Sequence, residues 1–320
     1  MLAVTVFDKV LAPSTCQYLH TASSIGELGD EMHTAFNRVG SKPATALEHC
    51  LDSILRELGD ESPCVEYWWR DKWVHVEAHE DVDEELFARK GVRSYPTNGH
   101  VLYLEVGDAV RGPTCVWERD EDAPVRCDFG ALTTVPAVEG RLLRFSGELM
   151  HAVPKPPMTW FGSSLGEAAP AVPKARTKGD TVRSVVLFNT WPEPPLDVAR
   201  ANARDPKAVI ERMAAEFNSP KLDAMVKVME SPDFLCQARE RWTQVEVNHH
   251  HHHQQQQQQQ EEEEEPHNAV ASTQLNVALL GEEERRQQSE LTVQLQAPAG
   301  VPTALLEETA VTRFSTMPQA

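Results

Sequence analysis

A chain of 320 residues, 41% hydrophobic and 25% charged, is long enough for one large domain or two ordinary ones and has a globular balance. Its formal net charge of -19 is shared by both parts, since residues 247–320 carry eleven Glu against three Arg and the remainder is acidic as well. Such a surface speaks against binding a nucleic-acid backbone, which needs Lys and Arg to neutralise phosphates.

The six cysteines, Cys16, Cys50, Cys64, Cys115, Cys127 and Cys236, show no C-x-x-C spacing and predict free thiols in a reducing compartment. The opening Met1 to Val10 meets an acid at Asp8 and makes a poor secretory leader. No run approaches the roughly 18 apolar residues of a membrane span. A cytoplasmic or nuclear protein is expected.

In chain order, residues 4–11 read as a short strand, with Pro13-Ser14-Thr15 as the turn or cap before Cys16 to Ala22. A helix is expected around Ile25 to Val39. A clearer one spans Ala44 to Leu58, where Leu47, Leu51, Ile54, Leu55 and Leu58 recur at helical spacing and Gly59 is placed to end it. From Val65 the pattern changes to short strands. These are Val65 to His79 (a strand pair or one long strand), Gly99 to Val106, Thr114 to Glu118, Leu132 to Val138, Arg141 to Phe145 and Arg183 to Asn189. Such a series predicts a nearly closed antiparallel structure, of which the jelly roll is the common metal container. The Pro-rich residues 154–180 read as an irregular insertion at its mouth.

After Trp191-Pro192-Glu193-Pro194-Pro195, helical patterning covers Ala208 to Phe217 and Leu222 to Met229, with a last turn near Phe234 to Trp242. The globular part is expected to end near Val245. The homopolymer runs of His (249–253), Gln (254–260) and Glu (261–265) cannot bury enough apolar surface to offset chain entropy. Residues 267–320 are assigned no fold beyond transient helix or a short hairpin, and a coiled-coil or partner-binding role for Leu275 to Leu295 stays open. The expected division is therefore supporting elements at 1–64, a jelly-roll core at 65–195, C-terminal helices at 196–245 and a largely disordered tail at 246–320.

Residues two apart on a strand face the same side, so His79 and Asp81 can present an imidazole and a carboxylate to one metal ion while Glu80 faces away. His75-Val76-Glu77 has the same form. Asp is the shorter, more rigid carboxylate, and Asp83-Glu84-Glu85 places the His79 pair at a strand end beside an opening. An open-sided site of two His and one carboxylate suits non-haem Fe(II) that must also hold a cosubstrate and dioxygen. The third ligand should lie on a strand that returns beside the first, and His151, after the strand and turn that begin at Gly140, is the candidate. Arg183 heads the apolar Ser184-Val185-Val186-Leu187-Phe188, where a charge is costly without a partner. The distal carboxylate of 2-oxoglutarate or a salt bridge at the barrel rim would supply one.

Over roughly Trp69 to Trp191 these motifs resemble the Fe(II)/2-oxoglutarate-dependent oxygenases, in their prolyl 4-hydroxylase-like branch. His79-x-Asp81 is similar to that family's first two ligands, and His100-Val101-Leu102-Tyr103-Leu104 to its next strand. Gly112-Pro113-Thr114 resembles the turn that follows, and Gly140-Arg141-Leu142-Leu143-Arg144-Phe145 through His151 the approach to the distal histidine. The family's basic residue usually follows more closely, so the insertion widens the gap to Arg183 and leaves Arg176 and Lys174 as substitutes. The resemblance implies His79, Asp81 and His151 as iron ligands and Tyr103 and Arg183 as 2-oxoglutarate contacts. It further implies ascorbate as reductant and hydroxylation of a C–H bond, in a prolyl residue, another peptide side chain or a small molecule. Two other readings remain: a cupin-like metalloenzyme without 2-oxoglutarate, drawing further ligands from His75 or His100, and a non-catalytic jelly-roll protein acting through its Gln/Glu-rich tail.

Overall fold

The computed structural model describes residues 4–24, 33–40, 43, 45–107, 113–119, 129–154, 182–196, 198, 236–250, 271–278, 290–297 and 311–314. The first part of the chain runs β1 (Val4–Asp8), α1 (Pro13–Ser24), β2 (Thr34–Asn37), α2 (Ala46–Glu57), β3 (Cys64–Lys72), β4 (Val76–His79) and α3 (Glu84–Lys90). Then come β5 (Asn98–Val106), β6 (Thr114–Arg119), β7 (Phe129–Val135), β8 (Leu142–Ser146), β9 (Met150–Val153) and β10 (Val182–Trp191). After a 3-10 turn at Arg239–Arg241 follow β11 (Thr243–Gln244), β12 (Val247–His250), β13 (Ala271–Ala278), β14 (Glu290–Ala297) and β15 (Val311–Phe314).

One sheet has the order β11-β1-β8-β5-β10-β3-β2, a second β12-β15-β7-β6-β9-β4, and β13 pairs with β14 as an antiparallel hairpin. Residue alternation explains how they stack. On β5, Val101 and Tyr103 join Val4, Val6, Leu143, Phe145 and Val185 of their own sheet in one buried cluster with Val116, Val135 and Val311 of the other. The intervening Leu102 and Leu104 turn to the opposite face and pack with Leu19 of α1 and Leu47, Leu51, Ile54 and Leu55 of α2. Period-two side chains thus serve two cores, and each buried Leu, Val or Ile adds about 1.5–3 kcal/mol over leaving it exposed. The molecule is three layers deep: helices, larger sheet, smaller sheet.

α2 forms where its periodicity predicts. Thr45 Oγ1 accepts from the Glu48 N–H at 3.1 Å while Glu48 Oε2 accepts from the Thr45 N–H at 3.3 Å, a capping box. Gly59, at φ +67°, ends the turn in a conformation that disfavours other residues.

Several expectations need correction. Thr34–Asn37, expected as helix, is an edge strand paired with β3, where Phe36 joins the helix-side core beside Val65 and Ala35, on the other face, packs with Cys64 and Trp191. Val65 to His79 holds two strands, one of the two expected forms, but they do not pair with each other. The chain leaves the larger sheet after Lys72 and enters the smaller one at Val76, and β4 pairs with β9. Folded structure also continues past Val245. β15 pairs with both β12 and β7, Val311 is buried, and Arg313 makes a two-point ion pair with Glu118 of β6. The tail's apolar residues thereby gain a sheet edge to cover, which composition does not reveal. Leu275 to Leu295 includes the facing strands of a hairpin, and these exclude a coiled coil there. The insertion beyond Pro154 and the helices at Ala208 to Phe217 and Leu222 to Met229 lie outside the described residues. Cys16, Cys50, Cys64, Cys115 and Cys236 are free thiols. Among the described residues no helix is long and apolar enough to cross a membrane.

Candidate metal centre

Antiparallel pairing sets His79 of β4 directly opposite His151 of β9, and their rings lie 4.3 Å apart between centroids. Asp81, two residues beyond His79, follows the same side. His79 Nε2 stands 3.4 Å from Asp81 Oδ1, and His151 Nε2 stands 3.7 Å from Asp81 Oδ2. These separations exceed the roughly 2.7–2.9 Å of a good charged hydrogen bond. They suit donors that share one ion at about 2.0–2.2 Å each. Among the described residues, His79, Asp81 and His151 are the side chains that bring three such ligand atoms together.

The surroundings orient each donor. His79 Nδ1 is 2.7 Å from the Glu77 carbonyl and His151 Nδ1 is 3.2 Å from that of Leu149. A proton on each Nδ1 would satisfy these contacts and leave the Nε2 lone pair for a metal, the usual outer support of ligating histidines. Asn189 of β10 donates to Asp81 Oδ2 at 3.0 Å. Glu80 points away, as alternation requires, and accepts from Arg93 and the Tyr95 hydroxyl. Phe145 packs 4.9 Å from the His151 ring, and it fits there because residue 99 is glycine: a Cβ at Gly99 would meet the Phe145 ring at 2.6 Å.

The charge states of Asp81 and His151 favour a cation. Burial opposes charge on Asp81, yet His151, His79 and Asn189 outweigh it and hold the carboxyl well below the usual range. Burial pulls the His151 imidazole down to about 4, against the attraction of Asp81. His79 is also opposed by burial, but Asp81 and the Glu77 carbonyl raise it above its ordinary value. At neutral pH the centre therefore presents an ionised carboxylate and a neutral, deeply buried imidazole. The donor set fits a divalent transition ion with open coordination positions.

Tyr103 and Arg183 lie in the same interior, on adjacent strands. Arg183 Nη2 donates to Thr114 Oγ1 at 2.8 Å, the Tyr103 hydroxyl meets that same oxygen at 2.7 Å, and the guanidinium sits 5.2 Å from the Tyr103 ring centroid. Burial is the largest influence on Arg183 and works against its charge. A one-residue register shift between Ser184 and Val185 of β10 sets Arg183 opposite Val106.

His75 and His100 do not join the centre. His75 Nδ1 contacts the Val153 carbonyl at 3.0 Å, and His100 stacks on Phe188, a member of the helix-side core. That removes the extra ligands on which the cupin-like alternative drew. Sequence reasoning missed Asn189, Thr114 as the link from Arg183 to Tyr103, and the Gly99/Phe145 fit. Asn189 was findable, since it lies six positions after Arg183 and directly follows the apolar run Val185 to Phe188.

No family model matches the chain, and no curated protein matches it. Solved structures do. A prolyl-4-hydroxylase of Pseudomonas putida is 14% identical, with a TM-score of 0.35 over 61% of this chain and 88% of that one. HygX of Streptomyces hygroscopicus with nickel and 2-oxoglutarate bound is 15% identical, with a TM-score of 0.35 over 63% and 89%. The viral collagen prolyl hydroxylase of Paramecium Bursaria Chlorella virus-1, as a 2-oxoglutarate complex, is 12% identical, with a TM-score of 0.33 over 59% and 94%.

Proposed function

We propose that this chain is an Fe(II)- and 2-oxoglutarate-dependent oxygenase that hydroxylates a C–H bond, built on a double-stranded β-helix. The observation that carries the reading is the convergence of His79, Asp81 and His151 with Nε2 and carboxylate atoms facing one point. Iron with 2-oxoglutarate would supply dioxygen activation, coupled to decarboxylation of the cosubstrate to succinate and carbon dioxide. The protein's own residues do the rest. His79, Asp81 and His151 would hold the metal through two imidazole nitrogens and a carboxylate oxygen, a donor set that leaves coordination positions for the cosubstrate. Arg183, kept charged in a buried site and steadied by Thr114 and Tyr103, binds the distal carboxylate of 2-oxoglutarate. Asn189 fixes the rotamer of Asp81, and the apolar wall around Phe145 and Val185 excludes water.

The proposal is testable before the substrate is known, because such enzymes are read by cosubstrate turnover. Purified protein should release succinate from 2-oxoglutarate when Fe(II) and ascorbate are supplied, and peptide or metabolite pools carrying the substrate should raise that release and gain one oxygen by mass spectrometry. Release of equal size without iron, or from His151→Ala, would contradict the proposal.

A further inference from the structure

Arg70 is a second guanidinium in the same interior, and the proposed chemistry leaves it unused. Its place follows from register: Arg70 of β3 is opposite Val185 of β10, which belongs to the inter-sheet core, so both face inward. Along the inward row of β10, Arg183 stands at one end and Asn189, the support of Asp81, at the other. Arg70 stands across from the position between them. Its Nε is buried without a hydrogen-bond partner among the described residues. Beyond burial, the dominant influence on each group, its charge disfavours positive charge on His79, His151 and Arg183, which places it near the metal centre and the Arg183 anchor.

A charge count, which rests on the proposed function, shows what is missing. A divalent ion, the Asp81 carboxylate, doubly charged 2-oxoglutarate and Arg183 sum to zero. Glu66, also on the inward row of β3, is within ion-pair distance of His33 and accepts from Trp191. Arg70 therefore leaves one positive charge without a carboxylate partner among the described residues, at a half-buried position whose Nε is out of water, and an anion there would offset it.

We infer that Arg70 is the specificity-determining residue for the substrate and selects one that carries a carboxylate, set so that the group pairs with Arg70 while a neighbouring C–H bond faces the metal. A guanidinium presents a planar fork that matches a carboxylate through two hydrogen bonds and rejects a carboxamide of the same shape.

Calorimetric titration of the Mn(II)- and 2-oxoglutarate-loaded full-length protein with N-acetylglycine and with N-acetylglycinamide tests this. The acid should bind at least about tenfold more tightly than the amide. Arg70→Gln should abolish that preference, and Arg70→Lys should retain part of it, with 2-oxoglutarate affinity within about threefold of wild type in both. Arg183→Gln should do the reverse, weakening 2-oxoglutarate. Equal binding of acid and amide by the wild type, or a preference that survives in Arg70→Gln, would overturn the inference while leaving the oxygenase reading standing. A loss of 2-oxoglutarate affinity in Arg70→Gln as large as in Arg183→Gln would overturn it too, by assigning Arg70 to the cosubstrate. Failure of the wild type to bind 2-oxoglutarate would instead remove the proposed function, and this inference with it.

Discussion

Asn189 donates to the same Asp81 oxygen that faces His151, so the carboxylate is held by a neighbour as well as by its own backbone. Asn189→Ala should therefore weaken Mn(II) binding by about 10–100-fold, the usual effect of removing an outer support, with the fold intact by circular dichroism. Unchanged affinity would show that Asp81 needs no such support. His79→Ala and His151→Ala remove donors outright and should abolish stoichiometric binding at the centre. For Arg183→Gln the expected outcome is at least a tenfold rise in the 2-oxoglutarate concentration needed for succinate release, with metal affinity retained. Equal loss of both would point to a collapsed interior instead. Alternation carried on from the end of β4 made His79, Asp81 and the outward Glu80 legible in the sequence. The tautomer-fixing carbonyls of Glu77 and Leu149 were not, because every residue carries such a group and only the fold decides which one is in reach.

β5 carries three tasks at successive parities: Gly99 makes room, His100 and Leu102 face the helices, and Val101 and Tyr103 face the interior. Gly99→Ala should cost about 1–3 kcal/mol by urea denaturation, since the added Cβ would push Phe145 toward His151. Replacing Phe145 by Leu in the same chain should recover part of that loss; an additive double variant would deny the contact. The strands and α2 were readable because period-two and period-3.6 patterns were long enough to be distinct. β2 was misread as helix because Thr34 to Asn37 is too short to show either period, and pairing with β3 decided it. β9 was read only as a turn leading to His151, since its four residues mean little until β4 and β6 flank them.

At the scale of the whole molecule, β15 shows how far folding reaches beyond the homopolymer runs. Truncation before Val311 should lower the urea midpoint, because Val311 is buried between the sheets and β7 would lose one of its two partners. Arg313→Ala alone should cost less than about 1 kcal/mol, as its pair with Glu118 is part-exposed. Stability should also depend on pH through His100. Burial holds this imidazole neutral, far below its ordinary value, whereas the unfolded chain takes up a proton below about 6.5. Stability thus falls as pH drops below that value, by up to about 1.4 kcal/mol per unit, and His100→Gln should lessen the slope measured between about pH 6.5 and 5. An identical slope would mean that other groups carry it. The position of a bound metal tests all of this most directly. A crystal grown with Mn(II) and 2-oxoglutarate should show an anomalous peak about 2.0–2.3 Å from His79 Nε2, Asp81 and His151 Nε2, with the cosubstrate's distal carboxylate on Arg183. A peak at the His249 to His253 run or beside His75, with nothing among the three, would contradict it.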